Sequence, residues 1–165
     1  LKHNAPFDLK IVSDMSCAWG ELLMKKYPFI GAASPLGFHS PTNTYEVMVT
    51  NDKVKGALEE FFTQMQFKIH NVSQVGLGFT YPRTLAQIVN EAYFALEEGL
   101  CERDDIDRAM KSGVNYPYGP FEWAQKVGLT PICRLLDELY RNTGDPRYRA
   151  NQKLRLEAEL EAAND

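Results

Sequence analysis

The sequence predicts two unlike halves: an α/β half sheet over residues 1–75, then an all-α helical domain over residues 76–165. Three observations lead there. Short apolar strand-like runs alternate with helical patterns up to Val72. From Pro82 onward the apolar residues recur only at helical spacing. The turn residues Gly76-Leu-Gly78 mark the change of regime.

In the first half, Leu9-Lys-Ile-Val12 reads as a strand that ends in the turn Ser13-Asp-Met-Ser16. Trp19, Leu22 and Leu23 have helical spacing, and the helix must stop before Pro28. Phe29–Ala33 and Tyr45–Thr50 read as further strands. Asn51 or Asp52 then caps a helix whose inner side carries Val54, Leu58, Phe61, Phe62 and Met65. Phe67–Val72 returns as a strand, and strands interleaved with helices predict parallel βαβ construction.

In the second half, Pro82 is expected to open a long helix to Leu100, with Leu85, Ile88, Val89, Ala92 and Leu96 on one face. Tyr93 and Phe94 lie off that stripe, which predicts a helix packed between two helical domains, as in a dimer. Asp104 or Asp105 opens the next helix, and Gly113 reads as its C′ stop. The corner Gly113–Trp123 holds two prolines and two glycines, with Pro120 at the first position of a new helix and Glu122 in its first turn. Thr130 and Pro131 read as cap and first residue of a helix carrying Ile132, Leu135, Leu136 and Leu139. A charged helix from Lys153 to Ala163 closes the chain.

Composition excludes several classes of function. Of 165 residues, 44% are apolar and 24% charged, as in ordinary globular proteins. A net charge of −4 argues against a nucleic-acid surface. The apolar runs are far short of a membrane span, so neither a nucleic acid nor a membrane is an expected partner. Cys17, Cys101 and Cys133 are widely spaced with no CxxC, which predicts free thiols in a cytoplasmic protein and no metal site. His3 and His70 have no partner at ligand spacing, and Glu97-Glu98 reads as a solvated helix face.

No GxGxxG occurs, and Gly76-Leu-Gly78 has Tyr81 where a third glycine would stand. A nucleotide-binding sheet opens with a strand, a glycine-rich turn and a helix. The α/β part therefore reads as the second half of a Rossmann-like domain, without the glycine-rich first half.

The runs Gly78-Phe-Thr-Tyr-Pro-Arg83, Val89-Asn-Glu-Ala92, Glu97-Glu-Gly99, Asp105-Ile-Asp107, Ala109-Met110 and Gly113-Val-Asn-Tyr-Pro-Tyr-Gly-Pro-Phe-Glu122 resemble the C-terminal domain of the 3-hydroxyacyl-CoA dehydrogenases. With Gly144-Asp-Pro-Arg-Tyr-Arg149, they are most similar to the second, degenerate unit of tandem bacterial enzymes acting on 3-hydroxyacyl-CoA or 3-hydroxybutyryl-CoA, some in phenylacetate degradation. Upstream, Ser13–Cys17 and Pro35–Pro41 resemble the family's serine turn and histidine segment. The resemblance implies NAD-dependent oxidation of a 3-hydroxyacyl-CoA to a 3-oxoacyl-CoA in fatty-acid or aromatic-acid degradation, and a helical domain that mediates dimerisation and covers the acyl-CoA cleft.

That family chemistry uses a histidine base, a glutamate that orients it, and a serine and an asparagine on the substrate oxygen. Carried over position by position, Ser16 retains the serine, while Gly37, Val49 and Pro82 replace the histidine, glutamate and asparagine. None of these three has a titratable group or a side-chain donor. His39 is two residues from Gly37, on the same strand face but roughly 6–7 Å away by strand rise, and Glu46 has the wrong parity to orient it. His39 is thus at most a substitute base. NAD belongs to the parent family, and its binding by this chain alone is not expected. Arg83 could face a CoA phosphate or form an ion pair, and Tyr116, Tyr118, Phe121 and Trp123 either pack a core or border an acyl channel. The chain is read as a structural segment of such a dehydrogenase, inactive by itself, or as a non-catalytic dimerisation module of the same descent.

Overall fold

The computed structural model describes residues 11–27, 30–49, 52–74 and 76–163. Four strands, β1 (Ile11–Asp14), β2 (Ile30–Ser34), β3 (Thr44–Val49) and β4 (Lys68–Asn71), form one sheet in that order. Helix α1 (Gly20–Lys26) joins β1 to β2, and α2 (Asp52–Gln64) joins β3 to β4, giving two parallel pairs. The expected all-parallel construction fails between them: β2 and β3 are antiparallel. Residues 35–43, which connect these strands, contain no helix, and a parallel crossover needs a longer connection. Leu9, Lys10, Phe29, Thr50, Asn51 and His3, parts of the expected strands, cap and isolated histidines, lie outside the described residues.

The helical half comprises α3 (Thr80–Glu97), α4 (Arg103–Gly113), α5 (Pro120–Val127), α6 (Leu129–Thr143), a 3₁₀ turn (Pro146–Tyr148) and α7 (Gln152–Ala162). Its core is the predicted apolar stripe of α3 and α6, with Leu85, Val89, Ile132, Leu135, Leu136 and Leu139 all almost fully buried. The two halves exchange one aromatic each. Phe38, from the loop after β2, enters the helical core. Phe79, just before α3, packs with Met15, Ala33 and Met48 over the sheet.

Three helices take their N-terminal caps from carboxylates distant in sequence. Glu46 on β3 accepts from the N–H groups of Thr80 and Tyr81, each at 3.0 Å, so α3 begins at Thr80 and not at the expected Pro82. Pro82 falls inside that first turn, where a missing N–H leaves nothing unpaired. Glu161 on α7 accepts from Leu129 and Thr130, so α6 opens at Leu129 and the Thr130 hydroxyl donates instead to the Ala158 carbonyl. Asp107 on α4 accepts from Phe121 at 2.8 Å through one oxygen and from Glu122 at 3.1 Å through the other.

Asp107 also explains the glycine of the aromatic corner. A Cβ on Gly119 would lie 2.2–2.3 Å from the Asp107 side chain, which no packing tolerates. Pro120 opens α5 as expected, and Glu122 returns to accept from the Gly119 N–H at 3.0 Å. Gly113, by contrast, remains helical, and it is Asn115 that adopts a left-handed φ of 59°.

Candidate functional site at the sheet–helix cleft

Where the ends of β1 and β2 meet the start of α6, a cleft of about 440 Å³ opens between the halves. Asp14, Ser16, Cys17, Gly37, Thr130 and Arg134 line it. Two positions singled out from the sequence, Ser16 and Gly37, are thus brought together.

Asp14 dominates their geometry. Its Oδ1 accepts from the Ser16 N–H at 2.9 Å and from the Ser16 hydroxyl, and its Oδ2 accepts from the Gly37 N–H at 2.7 Å. One carboxylate therefore ties the turn after β1 to the loop after β2. A Cβ built on Gly37 would lie 2.5 Å from Asp14 Oδ2, so the carboxylate holds the space into which a side chain at position 37 would start. The single Ser16 proton is given to Asp14, which leaves that hydroxyl only lone pairs to offer a ligand.

The remaining groups are placed apart. Val49 ends β3 and pairs with Ala32, among the apolar residues over the sheet. Pro82 is buried in the first turn of α3. The His39 ring lies 6.3 Å from that of Tyr118, and its backbone carbonyl accepts the Tyr81 hydroxyl. Glu46 is occupied at the start of α3, and no hydrogen bond joins it to His39 among the described residues. Cys17 donates to the Pro131 carbonyl at 3.6 Å, and burial pushes its thiol up to about 11, so it is protonated at neutral pH. Among the described residues no group of three or more His, Cys, Asp or Glu is arranged to hold a metal.

Asp14 and Arg134 were not foreseen as site residues. Asp14 had a local signal, because an aspartate two residues before Ser16 is the spacing of an Asx turn. Arg134 had none: it reaches the cleft only because the start of α6 lies beside the turn after β1, where Cys17 donates to the Pro131 carbonyl.

Residues 78–164 match the family described as 3-hydroxyacyl-CoA dehydrogenase, C-terminal domain, which is more than half of the chain. The chain belongs to this family. It is 49% identical over 85 residues to 3-hydroxyadipyl-CoA dehydrogenase of Escherichia coli K12, a stretch that is 52% of this chain and 18% of that protein. Its fold matches the crystal structure of 3-hydroxybutyryl-CoA dehydrogenase from E. coli K12 with a TM-score of 0.80 at 28% identity, over 93% of this chain and 32% of that one. A second match is (S)-3-hydroxybutyryl-CoA dehydrogenase from Ralstonia eutropha, with a TM-score of 0.68 at 27% identity, over 95% of this chain and 56% of that one. The chain thus spans only a part of each of these relatives.

The family implies NAD, and among the described residues the turn after β1 does not fit its pyrophosphate. A dinucleotide pyrophosphate needs bare N–H groups at a glycine-rich turn and helix start. Here the turn after β1 presents the Asp14 carboxylate, whose charge opposes a phosphate, and its nearest N–H groups are already taken.

Proposed function

We propose that this chain is a structural part of a 3-hydroxyacyl-CoA dehydrogenase, in which NAD-dependent oxidation of 3-hydroxyacyl-CoA to 3-oxoacyl-CoA is carried out by groups outside residues 1–165. The observation that carries the reading is Asp14. Its carboxylate takes the place of a side chain at Gly37 and holds the Ser16 proton, so the one retained family position is committed to fixing a turn. Residues 1–75 act as half of a nucleotide-binding domain, and residues 76–165 act as the helical domain that walls the acyl-CoA cleft and associates with another such unit. Family membership and the intact core of α3–α7 support that division.

The test is turnover. The purified 165-residue chain is expected to show no NADH formation with 3-hydroxybutyryl-CoA above the rate without protein. Turnover that disappears in His39→Ala or Ser16→Ala would overturn the proposal. A cytoplasmic setting with free thiols belongs to the same proposal, and the described residues contain no helix long and apolar enough to cross a membrane.

A further inference from the structure

The chain passes from the sheet half to the helical half through Gly76–Phe79, and the last residue of that stretch is strained. Phe79, the N-cap of α3, has φ 59° and ψ 174°. Its ψ is that of an ordinary N-cap, and only its φ departs. That region of backbone space belongs almost entirely to glycine, so a bulky residue stays there only where its surroundings hold it. Two groups do so. The Phe79 ring is buried with Met15, Ala33 and Met48 over the sheet. On the other side, the Glu46 carboxylate of β3 takes the N–H groups of Thr80 and Tyr81, the next two residues.

We propose that Gly78–Phe79 is a strain-loaded hinge latched by Glu46: released from that cap, Phe79 relaxes to extended backbone, and the cleft between the Ser16 turn and α6 widens. The pivot is confined to these two residues because the stretch is anchored on both sides. Before it, the Gly76 N–H donates to Glu21 at 2.9 Å, and Leu77 forms a backbone bridge with Trp19, so both are tied to α1. After it, α3 begins at Thr80 and carries Leu85 and Val89 into the helical core. Gly78 itself lies between the two walls that would move. A Cβ there would stand 2.9 Å from the Ser16 carbonyl oxygen and 2.5 Å from the Leu135 side chain of α6. Rotation at this point therefore shifts the Ser16 turn against α6, and it parts the Cys17 thiol from the Pro131 carbonyl across the cleft. Phe38 in the helical core and the Tyr81 hydroxyl on the His39 carbonyl are the further ties that return the hinge to its closed position.

The three cysteines report on the movement without added probes. Cys17 is half-buried at the cleft, Cys133 is buried in the helical core, and Cys101 is exposed. Maleimide labelling of the full chain, resolved by residue in a mass spectrometer, is compared between the parent and Glu46→Ala. Cys17 is expected to label roughly tenfold faster or more in the variant, with Cys101 and Cys133 unchanged, as local opening requires. An unchanged Cys17 rate would reduce the effect of Glu46 to fraying of α3 and overturn the latch. Cys17 and Cys133 accelerating together would mean general loosening and overturn it as well. The strain is tested by urea unfolding of Phe79→Gly against Phe79→Ala, which lose the same ring. Glycine ordinarily lowers stability relative to alanine by loosening the unfolded chain. Here Phe79→Gly is expected to unfold at the higher urea concentration, because it alone accepts the backbone without strain. The reverse order overturns the strained hinge. The labelling changes nothing at Phe79, so it carries the test should that pair fail to fold.

Discussion

At Gly119 a single hydrogen atom decides whether α4 and α5 can meet. The Asp107 carboxylate occupies the space of its missing Cβ and holds two N–H groups of α5, one on each oxygen. Gly119→Ala is therefore expected to lose about 2–3 kcal/mol or more, in the range of overpacked cores. Asp107→Asn is expected to lose about as much as Asp107→Ala, roughly 1–3 kcal/mol, because the amide turns one acceptor into a donor facing an N–H. Urea unfolding measures both. An Asp107→Asn variant as stable as the parent would show that one acceptor suffices. Asp14 follows the same physics at the cleft, where three donors converge on one carboxylate and the space beside Gly37 is filled.

At the level of the helix, α3, α5 and α6 share one device: an acid from a different element neutralises the positive end of the dipole and satisfies the exposed N–H groups. These caps also position whole elements. Glu46 fastens the helical half to β3, and Glu161 fastens α7 to α6. Removing the Glu46 acceptor in Glu46→Ala is expected to cost about 0.5–2 kcal/mol, as for other caps. Glu46→Gln keeps an oxygen acceptor and loses only the charge–dipole part, about 0.3–1 kcal/mol. Equal losses in the two variants, followed by thermal unfolding at low and high salt, would mean that charge and not hydrogen bonding carries the cap.

Across the molecule, Arg103 of α4 reaches Glu157 of α7 and stacks 4.7 Å from the Phe121 ring, while Tyr93 of α3 donates to Glu157 at 2.7 Å. Burial disfavours the Glu157 charge, but the Tyr93 and Arg103 hydrogen bonds outweigh it and hold its pKa below the ordinary value. A carboxylate lowered in the folded state adds stability above its unfolded pKa and loses it as pH falls through the folded one. The melting temperature is therefore expected to drop as pH falls below about 4.5, the ordinary glutamate value. Glu157→Gln should flatten that drop, and an unchanged acid slope would remove Glu157 from its cause. Tyr93, expected to mark an association surface, is 1% exposed in the chain's own core. The proposed association rests instead on exposed apolar residues such as Leu100 and Leu156, 69% and 60% exposed. Light scattering should give a mass above 18.8 kDa, and a monomer at all concentrations would remove it.

Periodicity and turn chemistry are local properties, and they were enough to place the half sheet, the helical half and the rigid corner at Pro117–Pro120. The family was legible for the same reason: a short motif is read in a single stretch of chain. The antiparallel β2–β3 pair was masked because strand direction depends on the length and path of a connection, not on the strand residues. The caps at Glu46, Asp107 and Glu161 were invisible because each acid lies 14 to 35 residues from the N–H groups that it serves. Only the folded chain brings Asp14 against both Ser16 and Gly37, and with it the reason that the Ser16 hydroxyl is tied to a turn. Short-range steric and apolar preferences belong to the sequence; which acid neutralises which helix end is settled by packing, where burial makes an unpaired N–H costly enough to select its partner.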